Sequence, residues 1–415
     1  MNNERTPAGR VRVIGYTWSP RGHEVRDFLA RSRIPYLWID YEHNEAARAE
    51  VAELGLGTRS LPLLRFSDGT DLVDPSDEEL AEKVGLQTEP GAPFYDLIIV
   101  GGGPAGLAAA VYGASEGLRV VLIDREAPGG QAGMSEAIEN YLGFPDGLRG
   151  SELAERSVRQ ATRFGAEIVV ARDVVGLADD EPNRVVTLDD GSTLAAHAVL
   201  LALGVSWRML EAPGCDRLIG RGVYYGGAAA AIPTCRERDV LMLGAGNSAG
   251  QAALYLARYA KSVTMVAPEA EFSDKMSEYL LGRIERTANI HLRPHSKVTD
   301  VSGDELLERV TVEDVDSGEQ EVVETSTLFV YIGAAPRTEW LDGVLERDEH
   351  GFVLAGPDLE GRVEWPLERP RELLETSMPG VFVAGDVRSG SVKRVGAAVG
   401  EGSMAIQFIH NHLRS

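Results

Sequence analysis

The period of apolar positions changes repeatedly along this 415-residue chain, and those changes mark its units. Residues 11–16 form a short β-rich run, 24–32 carry helical spacing, and 36–40 return as a strand. A second helical stretch at 45–54 leads to the apolar run 61–66, a turn at Asp68-Gly69, the short run 71–73 and a third helix over 77–84. These predict a compact α/β domain at 1–88. Residues 89–93 follow as a linker, because two prolines and a glycine interrupt either period there.

A different grammar begins at residue 95. Residues 95–100 form a nearly continuous apolar strand that enters Gly101-Gly102-Gly103-Pro104-Ala105-Gly106 and then an alanine-rich helix. Gly101, Gly103 and Gly106 permit a tight turn and close backbone approach to a pyrophosphate resting on the helix N-terminus. The next strand, 119–123, ends in Asp124, where a carboxylate accepts hydrogen bonds from an adenosine ribose. The order then recurs as strand 239–243, turn Gly244-Ala245-Gly246-Asn247-Ser248-Ala249, helix 251–260 and strand 263–266. One glycine run alone is weak evidence. Two, each in its strand, turn and helix context, argue for two bound dinucleotides, a flavin and a nicotinamide cofactor.

Composition narrows the partners. With 46 glycines and 44% hydrophobic residues, the chain suits an α/β protein of two or three domains. A net charge of −23 and a pI near 4.8 set the surface against phosphate backbones and anionic membranes, so neither nucleic acid nor membrane is an expected partner. No run approaches the ~20 apolar residues of a membrane span, and the first residues lack a signal-length apolar stretch, so a cytoplasmic location is expected. Cys215 and Cys235 are the only cysteines, in neither a metal nor a dithiol spacing, and two buried idle thiols are a simpler reading than a disulfide.

The first domain resembles the glutaredoxin family of the thioredoxin fold, on Trp18-Ser19-Pro20-Arg21-Gly22-His23 ahead of its first helix. That family carries Cys-Pro-x-Cys there, where the helix N-terminus lowers a thiol's pKa. Here the two cysteine positions are Ser19 and Gly22, so the resemblance implies the fold without the redox chemistry. Ser60-Leu61-Pro62 resembles the family's cis-proline segment, which makes Pro62 the cis candidate.

Residues 94–415 resemble the low-molecular-weight thioredoxin reductases. The matching segments are Pro128-Gly129-Gly130-Gln131, Glu139-Asn140-Tyr141-Leu142-Gly143-Phe144, Leu201-Ala202-Leu203-Gly204, Ile332-Gly333-Ala334-Ala335-Pro336 and Pro379-Gly380-Val381-Phe382-Val383-Ala384-Gly385-Asp386-Val387. The resemblance implies a homodimer and an FAD domain (94–208 and 334–415) split by an inserted NAD(P) domain (209–333). The fold class is therefore α/β, a thioredoxin-fold domain followed by two Rossmann-like nucleotide-binding domains. It further implies that Gly130 and Gln131 line the flavin, that Asn140 contacts it, and that Gly385 and Asp386 hold its ribityl and pyrophosphate region. Gly244, Gly246, Asn247 and Ser248 would hold the nicotinamide cofactor. Where the family has a flavin-contacting glutamine this chain reads Arg394, followed by Val395; a guanidinium there either stabilises negative charge on the flavin or faces solvent.

Three departures bear on function. The family's Cys-Ala-Thr-Cys falls within Tyr224-Tyr225-Gly226-Gly227-Ala228-Ala229, so both cysteine positions become Gly or Ala, and Cys235 stands too near the next strand to substitute. The basic residues that grip the NADP 2′-phosphate align with Ala267-Pro268-Glu269, which favours NADH. An extra segment around 359–371 carries no evident chemistry. The resulting expectation is an FAD-dependent NAD(P)H oxidoreductase passing hydride from NAD(P)H to FAD and then directly to an unidentified acceptor, a small molecule or a protein. The flavin itself is the catalyst, and Tyr224, Tyr225, Gly226 and Gly227 are candidates for the acceptor face. Two alternatives stay open: a thioredoxin-disulfide reductase with a non-standard dithiol, and a flavin-binding sensor or scaffold with little turnover.

Overall fold

The computed structural model describes residues 10–414 except 18, 58–59, 136–137, 227–231 and 305. The chain opens with β1 (Val11–Gly15), α1 (Pro20–Arg31), β2 (Tyr36–Asp40), α2 (Glu45–Glu53), β3 (Leu63–Arg65) and β4 (Asp71–Val73). The strands form one sheet in the order β2-β1-β3-β4, with β2 parallel to β1 and the other pairings antiparallel. A parallel pair needs a crossover, and α1 supplies it. Ser19 is the N-cap of α1, its hydroxyl accepting from the Gly22 N–H at 3.2 Å, and Pro20 fits the first turn, where no N–H is needed. The Trp38 ring closes over this helix start. A Cβ at Gly15 would come within 2.9 Å of the ring and one at Gly22 within 3.3 Å, while Arg26 stacks 4.2 Å from its centroid. The Leu61–Pro62 peptide is cis, as the sequence suggests.

The chain divides into two compact units, Met1–Asp74 with Trp207–Ala334 and Pro75–Ser206 with Ala335–Ser415. The first boundary falls ahead of α3 (Asp77–Lys83) rather than at the linker expected over 89–93. Arg172 contributes to this, pairing with Glu78 at 2.7 Å and donating to the Thr88 carbonyl at 3.2 Å, as does the Val170 N–H, which donates to the Gln87 carbonyl at 2.9 Å.

That unit continues with β5 (Phe94–Val100), α4 (Pro104–Ser115), β6 (Val120–Asp124), α5 (Gly130–Gly133), α6 (Gly150–Arg163), β7 (Glu167–Val170), β8 (Val174–Asp180), β9 (Asn183–Leu188) and β10 (Thr193–Leu201). The sheet order is β7-β6-β5-β10-β9-β8. β5 lies parallel between β6 and β10 and is covered on both faces, which is why it reads as a continuous apolar run instead of alternating.

The chain then enters the other unit through β11 (Ser206–Trp207), α7 (Cys215–Leu218), β12 (Val223–Tyr225), α8 (Ile232–Cys235), β13 (Asp239–Leu243), α9 (Asn247–Leu256), β14 (Ser262–Val266), α10 (Glu278–Glu285) and β15 (Ile290–Arg293). Three antiparallel strands follow, β16 (Ser296–Ser302), β17 (Arg309–Asp314) and β18 (Gln320–Glu324), then β19 (Leu328–Val330) and β20 (Ala334–Ala335). β12-β19-β13-β14-β15 make a parallel sheet, a second doubly wound core. Back in the second unit, β21 (Val381–Val383) pairs with the end of β10, and α11 (Val395–Arg414) lies so close on α4 that a Cβ at Gly402 would stand 2.1 Å from the Ala105 carbonyl.

The extra segment before β21 is a strap. The Trp365 indole donates to the Arg369 carbonyl at 2.7 Å, Arg369 and Arg371 stack on its ring, and Arg369 also contacts His412 near the end of α11 at 3.0 Å. Among the described residues no helix is long and apolar enough to cross a membrane.

Candidate functional site

The two glycine turns obey one rule. Gly101 (φ +106°) and Gly244 (φ +141°) lie where a Cβ would stand 2.4 Å from a carbonyl oxygen, that of Ala202 or Tyr331. A Cβ at Gly106 would stand 1.9 Å from the Gly101 carbonyl, whereas the equivalent third position of the second turn admits buried Ala249. The middle glycines differ in kind. Gly103 and Gly246 are the N-caps of α4 and α9, have ordinary extended backbones, and face open space at the Cβ position. Folding does not require glycine there; a group brought hard against the first-turn N–H donors does. Neither N-cap offers a side-chain acceptor, so those donors remain available to an anion.

Three separated motifs converge on the first turn. A Cβ at Gly130 would stand 3.1 Å from the Gly103 Cα, and one at Gly385 would stand 3.0 Å from the Ala105 Cβ. Gln131 is fixed by donating to the Val205 carbonyl at 2.7 Å. Asp124 turns back on the turn itself, accepting from the Gly102 N–H at 2.6 Å and the Glu126 N–H at 2.9 Å. The Asp386 carboxyl makes no hydrogen bond among the described residues, and burial raises its pKa against the pull of Lys393. It is thus a polar group without a protein donor at the mouth of the cradle. Lys393 meanwhile donates to the Asp386 backbone carbonyl.

Pro104 and Ala105 form the first turn of α4, and Val395 begins α11. Asn140, Asn247 and Ser248 are exposed; Asn247 Oδ1 accepts from the Ser277 N–H at 2.9 Å. Arg394 is exposed and makes no ion pair among the described residues. Glu401 was not evident from the sequence. It accepts from the Gly385 N–H at 2.8 Å and pairs with Arg388 at 2.6 Å, holding the Gly385-Asp386 turn. As one acid among 64 it carries no motif, although the glycines flanking it inside a helix were a usable signal.

The expected acceptor face is largely packing. Tyr224 is buried against Phe329 at 5.5 Å, and the Tyr225 hydroxyl accepts from the Leu210 N–H at 2.9 Å and lies 3.3 Å from Cys215 Sγ. Gly226 (φ +65°) has no room for a side chain, since a Cβ would come within 2.8 Å of the Trp207 ring. Trp207 in turn stands edge-on to Tyr331 at 5.7 Å. Gly227 lies outside the described residues. Burial pushes the Cys235 thiol up to about 11 and also raises Cys215, so neither is a thiolate at neutral pH, and they pack in different core layers. Glu269 follows the second strand of the second nucleotide unit and is half-buried, its carbonyl accepting from the His295 N–H at 3.0 Å.

Comparison with known proteins agrees with this geometry. Residues 95–402 match the family described as pyridine nucleotide-disulphide oxidoreductase. The chain is 34% identical over 327 residues to the bifunctional thioredoxin reductase/thioredoxin of Mycobacterium leprae (strain TN), covering 77% of this chain and 66% of that one, just short of two thirds of its length. It is 33% identical to a thioredoxin reductase of Mycolicibacterium smegmatis, covering 75% of this chain and 94% of the relative. A Lactococcus lactis thioredoxin reductase structure superposes with a TM-score of 0.70 at 28% identity, covering 77% of this chain and 99% of that one. With two nucleotide turns of matching geometry and a family match across most of its length, the chain belongs to the pyridine nucleotide-disulphide oxidoreductases, a family of flavoprotein oxidoreductases of the thioredoxin reductase type that use FAD and NAD(P)H.

Proposed function

We propose that this chain is an NAD(P)H-dependent flavoprotein that delivers electrons from its flavin directly to an external acceptor, with no protein dithiol in between. The observation that carries this is Gly226, where the Trp207 ring occupies the space a cysteine side chain would need. FAD and NAD(P)H, when bound, supply hydride transfer to the flavin ring. The residues fit both. Gly103 and the first-turn donors of α4, with Gly130, Gln131 and Asp386, would hold FAD; Gly246 and the start of α9 would hold the nicotinamide dinucleotide.

The chain's own part is to bind and orient the two groups and to close off other routes. Buried, protonated Cys215 and Cys235 offer no thiolate for disulfide exchange. Glu269, in place of a basic residue, supports NADH over NADPH, because a carboxylate repels a 2′-phosphate. The −23 charge supports a small oxidant, a quinone or a basic partner as acceptor and weighs against an acidic redox protein. The topology of residues 11–73 and the Ser19 N-cap support reading the first domain as glutaredoxin-like without redox chemistry.

Stopped-flow bleaching of the bound flavin by NADH and NADPH, followed by an acceptor screen, is the test. Fast bleaching with turnover on small acceptors is expected. Efficient reduction of thioredoxin-type disulfides would overturn the direct route, and very slow bleaching would favour a flavin-binding sensor.

A further inference from the structure

The backbones of the two dinucleotide turns match position for position, which exposes one side chain without a counterpart. In the first, the Ala202 N–H donates to the Val100 carbonyl at 2.8 Å, and the Ala202 carbonyl is the oxygen that a Cβ at Gly101 would meet. In the second, the Tyr331 N–H donates to the Leu243 carbonyl at 2.7 Å, and the Tyr331 carbonyl stands in the same relation to Gly244. Ala202 and Tyr331 are therefore equivalent, one carrying a methyl and the other a phenol. Tyr331 directly follows β19, whose parallel neighbour β13 runs into Gly244, and a Cβ at Gly244 would stand 3.0 Å from the Tyr331 Cβ. From β13 the chain crosses through α9 to β14 on the side away from β19, so the sheet order reverses between β13 and β19. In open α/β sheets the ligand crevice lies at the carboxyl ends of the strands at such a point. The Tyr331 ring is half-buried and edge-on to Trp207, and its hydroxyl makes no hydrogen bond among the described residues. Burial raises its pKa, with no neighbouring charge to oppose the shift. A hydroxyl withdrawn from water and given no protein partner costs free energy until something supplies one.

We propose that Tyr331 is a positioning residue for the nicotinamide dinucleotide, its hydroxyl donating to an oxygen at the pyrophosphate end of the cofactor on the turn 244–249. The turn and the first N–H donors of α9 set the pyrophosphate there, and the Tyr331 side chain leaves the backbone beside the first glycine of that turn. Ala202 at the equivalent place shows that the turn itself folds without a phenol. The bond serves NAD(H) and NADP(H) alike, because the two share the pyrophosphate, and so it is independent of Glu269. It rests on the use of a nicotinamide dinucleotide and not on the direct-transfer reading.

The test uses the full chain with oxidised FAD bound and the variant Tyr331→Phe, which deletes the hydroxyl and keeps the ring. NAD+, NADP+ and ADP-ribose are titrated into each protein by calorimetry, under conditions where no turnover takes place. For each of the three that the wild type binds, the dissociation constant is expected to rise about fivefold in the variant, the weight of one hydrogen bond. The melting temperature without dinucleotide should be unchanged, and the rise that NAD+ produces should be smaller than in the wild type. Dissociation constants within about twofold of wild type overturn the proposal. Weaker NAD+ and NADP+ with unchanged ADP-ribose would put the hydroxyl at the nicotinamide end and overturn the pyrophosphate assignment. An early melt of the unliganded variant overturns it as well, because the hydroxyl would then have a protein partner. A wild type that binds none of the three overturns the nicotinamide reading itself, a failure distinct from that of Tyr331.

Discussion

Arg369 grips the fully buried carboxylate of Glu375 through two contacts of 2.7 Å, tying the strap at 359–371 to the interior. Glu375 also accepts from the Gly380 N–H at 3.0 Å and the Glu372 N–H at 3.1 Å, so its position fixes the turn into β21. Removing one partner strands a buried charge. Arg369→Met is expected to destabilise the second unit by about 3–5 kcal/mol, and Arg369→Met with Glu375→Leu by far less. Thermal melts of the holoprotein check this; equal losses in the two variants would make the strap's packing, not the ion pair, the source.

The glycine turns predict two unlike phenotypes. Gly106→Ala drives a methyl into the Gly101 carbonyl, so folding of the second unit should fail. Gly103→Ala meets open space and should fold normally, yet hold FAD about tenfold more weakly or worse, because the methyl sits where the phosphates would approach. Flavin content and titration of the apoprotein separate the two.

Coenzyme choice should follow Glu269. Glu269→Ala is expected to raise kcat/KM for NADPH by about tenfold, leaving NADH little changed, as removal of one like-charge repulsion predicts. Strong NADPH preference in the wild type would place selection elsewhere. Arg258 is a poor candidate, because it lies beyond the far end of α9, roughly 15 Å along the helix from the turn.

Acid should loosen the packing around His23 in α1. Burial, then the Arg26 charge, holds the His23 imidazole down to about 4 against the opposing pull of Glu24. The unfolded chain takes up that proton near pH 6.5, so this contribution is fully present above about 6.5 and is lost as pH falls toward 4, on the order of 3 kcal/mol in all. Stability measured across pH 7 to 4 should fall less steeply for His23→Gln.

Thiols should be dispensable. Cys215→Ser with Cys235→Ser is expected to keep NADH oxidation with an artificial acceptor within about twofold of wild type, since buried protonated thiols are inert. Loss of turnover with FAD retained would make one of them catalytic.

Much of this was legible in the sequence because it rests on local chemistry. Both strand–turn–helix units were visible in the order strand, glycine turn, helix, and Leu61-Pro62 was readable within its own segment, although Gly101 and Gly244 answer to the distant Ala202 and Tyr331 carbonyls and α1 begins at Pro20 rather than at 24. What escaped detection depends on distant partners. Nothing near Arg172 says that it will clasp Glu78 and Thr88 and so move the unit boundary. Nothing in the run Tyr224-Tyr225 says that Phe329, Leu210 and Cys215 will turn two aromatics inward. The space beside Gly226 is set by Trp207, in another strand.

The Trp38 ring over Gly22 limits what position 22 can carry. A side chain at position 22 would meet that ring and the Tyr16 carbonyl, each at 3.3 Å, tighter than most real contacts, and the Ser19 Cβ at 3.4 Å. A side chain there therefore needs Trp38 or the Tyr16 carbonyl to give by a few tenths of an ångström, and Trp38 is stacked on Arg26. Position 22 is thus set by the packing of Trp38 and Arg26 around the start of α1 as much as by the turn itself.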